Sequence, residues 1–149
     1  MSITYHSNAR PNAAEVCALT VSVGWRDPAR HGLDVVQRVW DLAPATVLAR
    51  DGERLVGMCR AVWDGGLMAE IMNVVVHPDY QGQGIGRRLM ELLIAEIEKL
   101  GVRHITLGSA VGKEAFYEQF GFVVRDTVTP MIKRYDDHGK GEDECCLRS

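Results

Sequence analysis

The stretch that decides the fold reads Gln81-Gly82-Gln83-Gly84-Ile85-Gly86-Arg87-Arg88. A segment that predicts a strand, 71–76, precedes it, and a long amphipathic segment follows it. Alternate glycines between a strand and a helix let the backbone come close to a ligand, and the free N–H groups of a first helical turn attract phosphate oxygens. The stretch therefore predicts a binding site for a diphosphate.

Two nucleotide-binding motifs have a similar glycine content, and the spacing excludes both. The mononucleotide motif G-x-x-x-x-G-K-[ST] needs a Lys and a hydroxyl for the terminal phosphates and Mg²⁺, whereas Arg88 stands six positions after Gly82. The dinucleotide motif G-x-G-x-x-G needs a third glycine at 87 or 89, where this chain has Arg87 and Leu89. Neither motif is present.

The glycine stretch resembles the acetyl-CoA-binding signature of the GNAT N-acetyltransferases, [QR]-x-x-G-x-[GA], which Gln81, Gly84 and Gly86 match. Two further stretches are similar to that superfamily, His77-Pro78-Asp79-Tyr80 and Phe116-Tyr117-Glu118-Gln119-Phe120-Gly121-Phe122. The resemblance covers roughly 45–124. It implies an α/β fold with a mixed, mostly antiparallel central sheet, flanking helices and a β-α-β core that binds acetyl-CoA.

The length of 149 residues and the hydrophobic content of 46% are typical of one domain. We expect this domain to span 1–135 and a polar tail, rich in Asp, Glu, Gly and Lys, to follow over 136–149. No charge-flanked apolar run opens the sequence, and no stretch approaches the roughly 20 apolar residues of a membrane span, so neither secretion nor membrane insertion is expected. A cytoplasmic location is the resulting prediction.

Charge and cysteine usage narrow the range of partners. The net charge of −3 disfavours nucleic acid as the main partner and mildly favours a cationic acceptor. The four cysteines lack the spacing of metal ligands; they are Cys17, Cys59, Cys145 and Cys146. We therefore predict structural or incidental thiols and no metal site.

Hydrophobic periodicity and turn signals predict the order of elements. Strands are predicted over 3–6, 46–50, 54–63, 68–76, 102–107, 122–124 and 131–135. Helices are predicted over 12–23, over 34–42, from the glycines to about 100, and over 113–119. Asp51-Gly52 is a two-residue hairpin signal, and Gly101 is placed to end the long helix. Antiparallel hairpins before a strand-helix-strand crossover predict an α/β domain with a mixed sheet.

The first requirement of the activity that the resemblance implies is a binding site for acetyl-CoA. Backbone N–H groups of the glycine stretch would bind the pyrophosphate, with charge from Arg87 and Arg88. The resemblance also implies that the preceding strand splays from its neighbour and pairs with pantetheine, although three consecutive valines are equally typical of a buried strand. The predicted cofactor-binding residues are Val74, Val75, Val76, Gln81, Gly82, Gln83, Gly84, Ile85, Gly86, Arg87 and Arg88.

Two side chains are predicted to move protons. A primary amine with a pKa near 10.4 needs about 4.6 kcal/mol to reach its free-base form at neutral pH. By resemblance, Glu70 occupies the position of the general base in histone-acetylating members, and Tyr117 that of the acid that protonates the CoA thiolate. Strict alternation would place Glu70 on one face with Met72, Val74 and Val76, unless a bulge intervenes. The alternatives are an ordinary exposed carboxylate and a packing aromatic.

One position departs from the family pattern. Many members have an Asn that contacts CoA where this chain has Ala110, and Ser109 or Lys113 could substitute for it. For the acceptor, Trp25 and Trp63 either wall a substrate pocket or pack in the core.

The predicted function is therefore transfer of an acetyl group from acetyl-CoA, as cosubstrate, to a primary amine by direct attack in a ternary complex. The runs 61–66 and 76–78 are similar to the arylalkylamine (serotonin-type) branch, which favours a small amine. The alternatives are a protein lysine or N-terminal acetyltransferase and a non-catalytic module that senses acyl-CoA. A homodimer is left open.

Overall fold

A five-stranded sheet runs through residues 2–135, the part of the chain that the computed structural model describes. The strands lie side by side in chain order, antiparallel except for the parallel last pair. They are β1 (Ile3–Ser7), β2 (Ala45–Asp51), β3 (Arg54–Trp63), β4 (Met68–Val76) and β5 (His104–Leu107). The helices are α1 (Ala13–Ser22), α2 (Leu33–Asp41), α3 (Ile85–Glu98) and α4 (Glu114–Glu118). This confirms the predicted α/β fold with a mixed, mostly antiparallel sheet.

Helix α3 packs on one face of the sheet, and α1 and α2 pack on the other. The predicted apolar arc of α3 is confirmed, because Leu89, Leu93 and Ile97 are 0% exposed. Burying such side chains stabilises the fold by about 1.5–3 kcal/mol each. The core under α1 and α2 is built around Trp40 and Met58. The sheet is thus fixed from both sides at its centre.

The ends of the helices follow from local residues. Asn12 caps α1, since its Oδ1 accepts a hydrogen bond from the N–H of Ala14 at 2.7 Å. Beyond α3, Gly101 takes the positive φ of 78° that commonly ends a helix, as predicted. Glu96 interrupts the polar-apolar pattern of α3, but its carboxylate accepts hydrogen bonds from Asn8 and Lys99, both at 2.9 Å. Its partial burial is therefore compensated.

A β-bulge lies in the middle of β4. Met58 is opposite Val75 and Arg60 is opposite Met72, so a step of two residues on β3 matches a step of three on β4. The bulge contains Asn73, whose backbone is left-handed with φ of 56°. Beyond the bulge, the alternation of β4 side chains between the two faces of the sheet is reversed. The expectation that Glu70 shares a face with Val74 and Val76 is therefore wrong: Val76 joins the core on the α3 side, whereas Glu70 lies on the other face.

Two other expectations need correction. The β2–β3 turn is Gly52-Glu53, one residue later than predicted, because Asp51 still pairs with Arg54. In the described residues, 122–124 and 131–135 do not form strands, and Met131 is 93% exposed. Their β-branched and apolar residues raise strand propensity, but a strand also needs a pairing partner and a surface to cover.

Other predictions have mixed outcomes. Cys17 and Cys59 are buried free thiols, as expected for structural cysteines, whereas Cys145, Cys146 and the predicted tail 136–149 lie outside the described residues. Over 2–135, no helix has the length and apolar character needed to cross a membrane. In the same range, no group of three or more His, Cys, Asp or Glu side chains is arranged to hold a metal ion.

Candidate functional site

The end of β4 leads into the glycine stretch through a short 3₁₀ turn, Pro78–Tyr80. The N–H of His77 donates to the carbonyl of Val56 at 2.8 Å, and its ring Nδ1 accepts from the N–H of Asp79 at 3.1 Å. His77 therefore ends the strand and caps the turn. The side chain of Gln81 is tied back to the strand, because its Nε2 donates to the carbonyl of Val76 at 2.9 Å.

The glycine turn is open on the side away from the protein. Gly82 and Gly84 have positive φ angles of 77° and 84°, and a Cβ built on either one would meet no atom of the described residues within 4 Å. Gly84 is the N-cap of α3 and provides no side-chain cap. The first hydrogen bond inside the helix joins the N–H of Arg88 to the carbonyl of Gly84 at 3.1 Å. The N–H groups of 85–87 are thus free to bind a ligand.

The charges around this helix end suit an anion. Helix α3, all of it described, has Arg87 and Arg88 in its first turn and no acidic residue there. Cations at a helix N-terminus oppose the macrodipole at a cost of about 0.3–1 kcal/mol each. Both arginines are exposed and reach Glu91, at 3.2 and 3.4 Å. A bound anion would interact favourably with both arginines and with the helix N-terminus, and would thus offset this cost.

The two parallel strands separate beside the glycine turn. Pairing between β4 and β5 ends at Ile71 and Leu107, whereas β4 continues to Val76. Successive backbone groups of a strand point in alternate directions. Since the carbonyl of Val76 points to the Gln81 side chain at the open edge, the N–H and C=O of Val74 point to the same edge. An extended ligand could pair with this part of β4.

Tyr117 lies on α4, next to Phe116, whose ring lies close to Gly86 at the start of α3. Its ring packs edge-on against Phe116, with centroids 5.0 Å apart, and the two rings lie against the core on the α3 side. Burial, with a smaller contribution from Cys59, raises the pKa of the Tyr117 phenol. The phenol therefore keeps its proton at neutral pH. It lines a groove of about 1050 Å³ between β5, α4 and 122–130.

Glu70 lies on the opposite face of the sheet from α3, beyond the area that α1 and α2 cover. It is exposed, and it is directly opposite Val62 on β3 and Thr106 on β5. On the same face, Arg60 Nε donates to Asn73 Oδ1 at 2.7 Å. This contact and the left-handed backbone of Asn73 were not predicted from the sequence. The signal that could have found the bulge is an Asn, which tolerates positive φ, inside an apolar strand.

The remaining predicted residues are spread over the molecule. Trp25 packs against the core under α1 and α2, and its buried indole N–H has no hydrogen-bond partner within residues 2–135. Trp63 is opposite Ala69 and lies on the α3 face, so the structure does not bring the two tryptophans together. Ala110 is buried, and the Ser109 hydroxyl donates to its carbonyl at 2.9 Å. Lys113 is the exposed N-cap of α4.

Sequence comparisons identify related proteins. A family model described as an acetyltransferase (GNAT) domain matches residues 43–124. An uncharacterized N-acetyltransferase ycf52 from Porphyra purpurea is 33% identical over 121 residues, which cover 80% of this chain and 70% of that protein. A chloroplastic serotonin N-acetyltransferase 2 from Oryza sativa subsp. japonica is 39% identical over 71 residues, 48% of this chain and 36% of that enzyme. The serotonin-type similarity is thus confined to less than half of either chain.

Solved structures share the fold. A probable acetyltransferase from meticillin-resistant Staphylococcus aureus superposes with a TM-score of 0.81 at 25% identity, over 90% of this chain and 100% of that one. A predicted acetyltransferase from Clostridium acetobutylicum, solved with acetyl-CoA, superposes with a TM-score of 0.71 at 13% identity, over 88% and 96% of the two chains.

Proposed function

Because the chain belongs to the GNAT acetyltransferase family, we propose that it transfers an acetyl group from acetyl-CoA to a primary amine by direct attack in a ternary complex. The observation that carries the proposal is the open glycine turn beside the split between β4 and β5. An anion fits the turn, and an extended chain fits the free edge of β4. Acetyl-CoA supplies a diphosphate, a long pantetheine arm and a reactive thioester.

In this proposal the glycine turn and its two arginines bind the cofactor's phosphates. The N–H groups of 82–87 bind the diphosphate, and Arg87 and Arg88 add positive charge. Both arginine side chains are more than half exposed, at 65% and 53%, so their ion pairs with Glu91 are weak. They can therefore turn to a phosphate at little cost. The backbone of 74–76 pairs with pantetheine as an added strand would.

In this proposal the Val74 N–H, which points to the open edge of β4, polarises the thioester carbonyl. One oriented backbone donor at such an oxygen typically accelerates acyl transfer by about 10²–10³. The amine then attacks, so a proton must leave it and another must reach the departing thiolate. Glu70 takes the first proton, directly or through water, and Tyr117 donates the second. Burial raises the pKa of Tyr117, so the phenol holds its proton when the C–S bond breaks, but the same shift makes full transfer to the thiolate more uphill, and the proton should move together with C–S cleavage or stay shared in a hydrogen bond.

A small amine is the acceptor that we favour. Val62 lies directly opposite Glu70, which puts their Cβ atoms about 4.5–5.5 Å apart. Val62 is 42% exposed, and Met72 lies on the same face. An apolar group on the acceptor can pack on these two side chains while its ammonium group meets Glu70. A lysine side chain or an N-terminus of a protein offers the same ammonium group and is the second candidate.

The proposal is tested by calorimetric titration of CoA into the chain, followed by measurement of CoA release with small amines and with lysine and N-terminal peptides. Gly84→Ala puts a side chain at φ of 84°, which strains the turn by about 1–2 kcal/mol and places a methyl group where the ligand should lie. We expect its dissociation constant for CoA to rise about tenfold or more. Gly65→Ala is the matched control, because Gly65 has φ of 89° and the same open surroundings in the distant β3–β4 turn.

Three outcomes would count against the proposal. If titration of CoA into the wild type gives no heat, CoA is excluded as the cofactor. Equal weakening by Gly84→Ala and Gly65→Ala removes the glycine turn as its site. Tight CoA binding without turnover of any amine indicates an acyl-CoA sensor.

A further inference from the structure

We propose that Arg60 is a positioning residue: by hydrogen-bonding Asn73, it holds the β4 bulge in the conformation that directs the Val74 backbone to the thioester. This inference rests on the proposed function and concerns a contact on the other face of the sheet from α3. Arg60 and Asn73 are thirteen residues apart in sequence and on neighbouring strands. Their contact joins β3 to the one irregular position of the β3–β4 pairing.

The geometry of this contact is specific. Arg60 Nε donates to Asn73 Oδ1 at 2.7 Å, a short distance for a hydrogen bond with a charged donor. The guanidinium group also reaches the sulfur of Met72, with Nη2 to Sδ at 3.7 Å. Arg60 is directly opposite Met72, the residue before the bulge. Its side chain therefore lies across the bulge and fixes the Asn73 side chain on the sheet.

Asn73 has a backbone conformation that needs such support. Its φ of 56° lies in the left-handed region, which L-residues other than Gly rarely adopt, although Asn adopts it more readily than most. If Asn73 had the regular extended backbone of a strand, β4 would have to accommodate its extra residue at another position. The hydrogen bond to Arg60 is available only when the Asn73 side chain is held at the bulge. It thus favours this register over a slipped one.

The register decides which amide faces the cofactor. A shift of one residue in a strand exchanges the directions of every side chain and backbone group beyond it. With the bulge at Asn73, Val74 and Val76 point their backbone groups to the split between β4 and β5, while Val75 pairs with Met58. Without the bulge, Val75 would face the split instead. The Arg60–Asn73 hydrogen bond therefore selects the Val74 N–H as the donor without touching the reacting atoms.

Substitutions at both ends separate positioning from charge. Asn73→Gly keeps the positive φ permissible and removes the acceptor, and Arg60→Met removes the donor while keeping a long apolar side chain. We expect each to lower kcat about tenfold while the dissociation constant for CoA changes by less than about threefold. The double variant should be no slower than the slower single variant, because both remove one contact. Asn73→Asp keeps an acceptor oxygen and should restore most of the lost turnover.

Exchange of the Val75 amide hydrogen, which pairs with β3 next to the bulge, gives a readout in the free protein. We expect it to be faster in Asn73→Gly and Arg60→Met than in the wild type, because a loosened bulge opens more often. Arg50→Met is the control: Arg50 also anchors a strand, through Glu15, but lies on β2 away from the bulge. It should alter neither kcat nor Val75 exchange.

Several results would overturn the inference. They are wild-type kcat in Asn73→Gly, multiplicative losses in the double variant, and an equal loss in Arg50→Met. If the wild type turns over no amine, the proposed function fails. The amide exchange still tests whether the Arg60–Asn73 hydrogen bond holds the bulge. Unchanged Val75 exchange in both single variants then rules out the proposed role of Arg60.

Discussion

The hydroxyl of Tyr117 is the group whose removal tests the proposed chemistry most directly. Tyr117→Phe deletes one oxygen and keeps the ring that packs against Phe116 at 5.0 Å. The aromatic contact, worth about 0.5–1.5 kcal/mol, is retained. The variant should therefore fold like the wild type and bind CoA with unchanged affinity.

The expected kinetic effect follows from what the hydroxyl does in the transition state. A hydrogen bond to a charged acceptor, here the departing thiolate, contributes about 1.5–3 kcal/mol. Each 1.36 kcal/mol corresponds to a factor of ten, so kcat should fall roughly 10- to 150-fold. The apparent KM for acetyl-CoA should stay near its wild-type value, since the phenol acts after binding.

The pH profile adds an independent observable. Burial raises the pKa of Tyr117, so the acid form persists until the pH passes above the ordinary value of 10.0. In the wild type, kcat should rise with pH as the amine loses its proton and fall only above that value. Tyr117→Phe should lack the alkaline fall. The same shift means that ionising Tyr117 disfavours the folded state, so the stability present below pH 10 is lost as the pH rises through the raised pKa.

The assay is continuous detection of CoA release with a thiol reagent, at saturating acetyl-CoA and amine. Tyr135→Phe is the matched control, because it removes the same hydroxyl from a side chain that is 85% exposed. A kcat for Tyr117→Phe within about twofold of the wild type would remove Tyr117 from the mechanism.

Two further substitutions test neighbouring groups. Glu70→Gln keeps the shape of an exposed side chain and removes the proposed base; we expect kcat at pH 7 to fall about tenfold and to recover as the pH approaches the pKa of the amine. A kcat and pH profile like those of the wild type would make Glu70 an ordinary surface carboxylate. Gly86→Ala puts a Cβ 3.4 Å from Phe116 Cζ and 3.7 Å from Val76 Cγ2, and a helical Ala gains about 0.5–1 kcal/mol over Gly. Urea unfolding should show a stability change within about 1 kcal/mol, and CoA affinity should be retained, unlike in Gly84→Ala.

Local signals predicted the elements around the proposed cofactor site. The glycines of 82–86, the apolar arc of α3 and Gly101 are contiguous in sequence, and each acts on backbone within one or two turns of itself. The same holds for Asn12 at the start of α1. Such features need no knowledge of the rest of the chain, which is why their positions agree with the structure.

Features that depend on pairing were not predictable in this way. The β4 bulge exists only relative to β3, so Glu70 could not be given a face from its own strand. The strand predictions for 122–124 and 131–135 were wrong because propensity cannot supply a pairing partner. Trp63 was grouped with Trp25 by residue type, while the parity of β3 puts it on the α3 face.

The two kinds of feature meet at the split between β4 and β5, and this explains how the site depends on the whole sheet. Gly84 opens the proposed phosphate site through its own positive φ, which does not depend on pairing with another strand. The direction of the Val74 N–H, in contrast, is set by pairing with β3 and by a bulge thirteen residues from Arg60. Cofactor affinity should therefore respond mainly to the glycine turn, and turnover mainly to the register of β4. Substitutions that separate the two quantities would show that binding and chemistry are positioned by different parts of the fold.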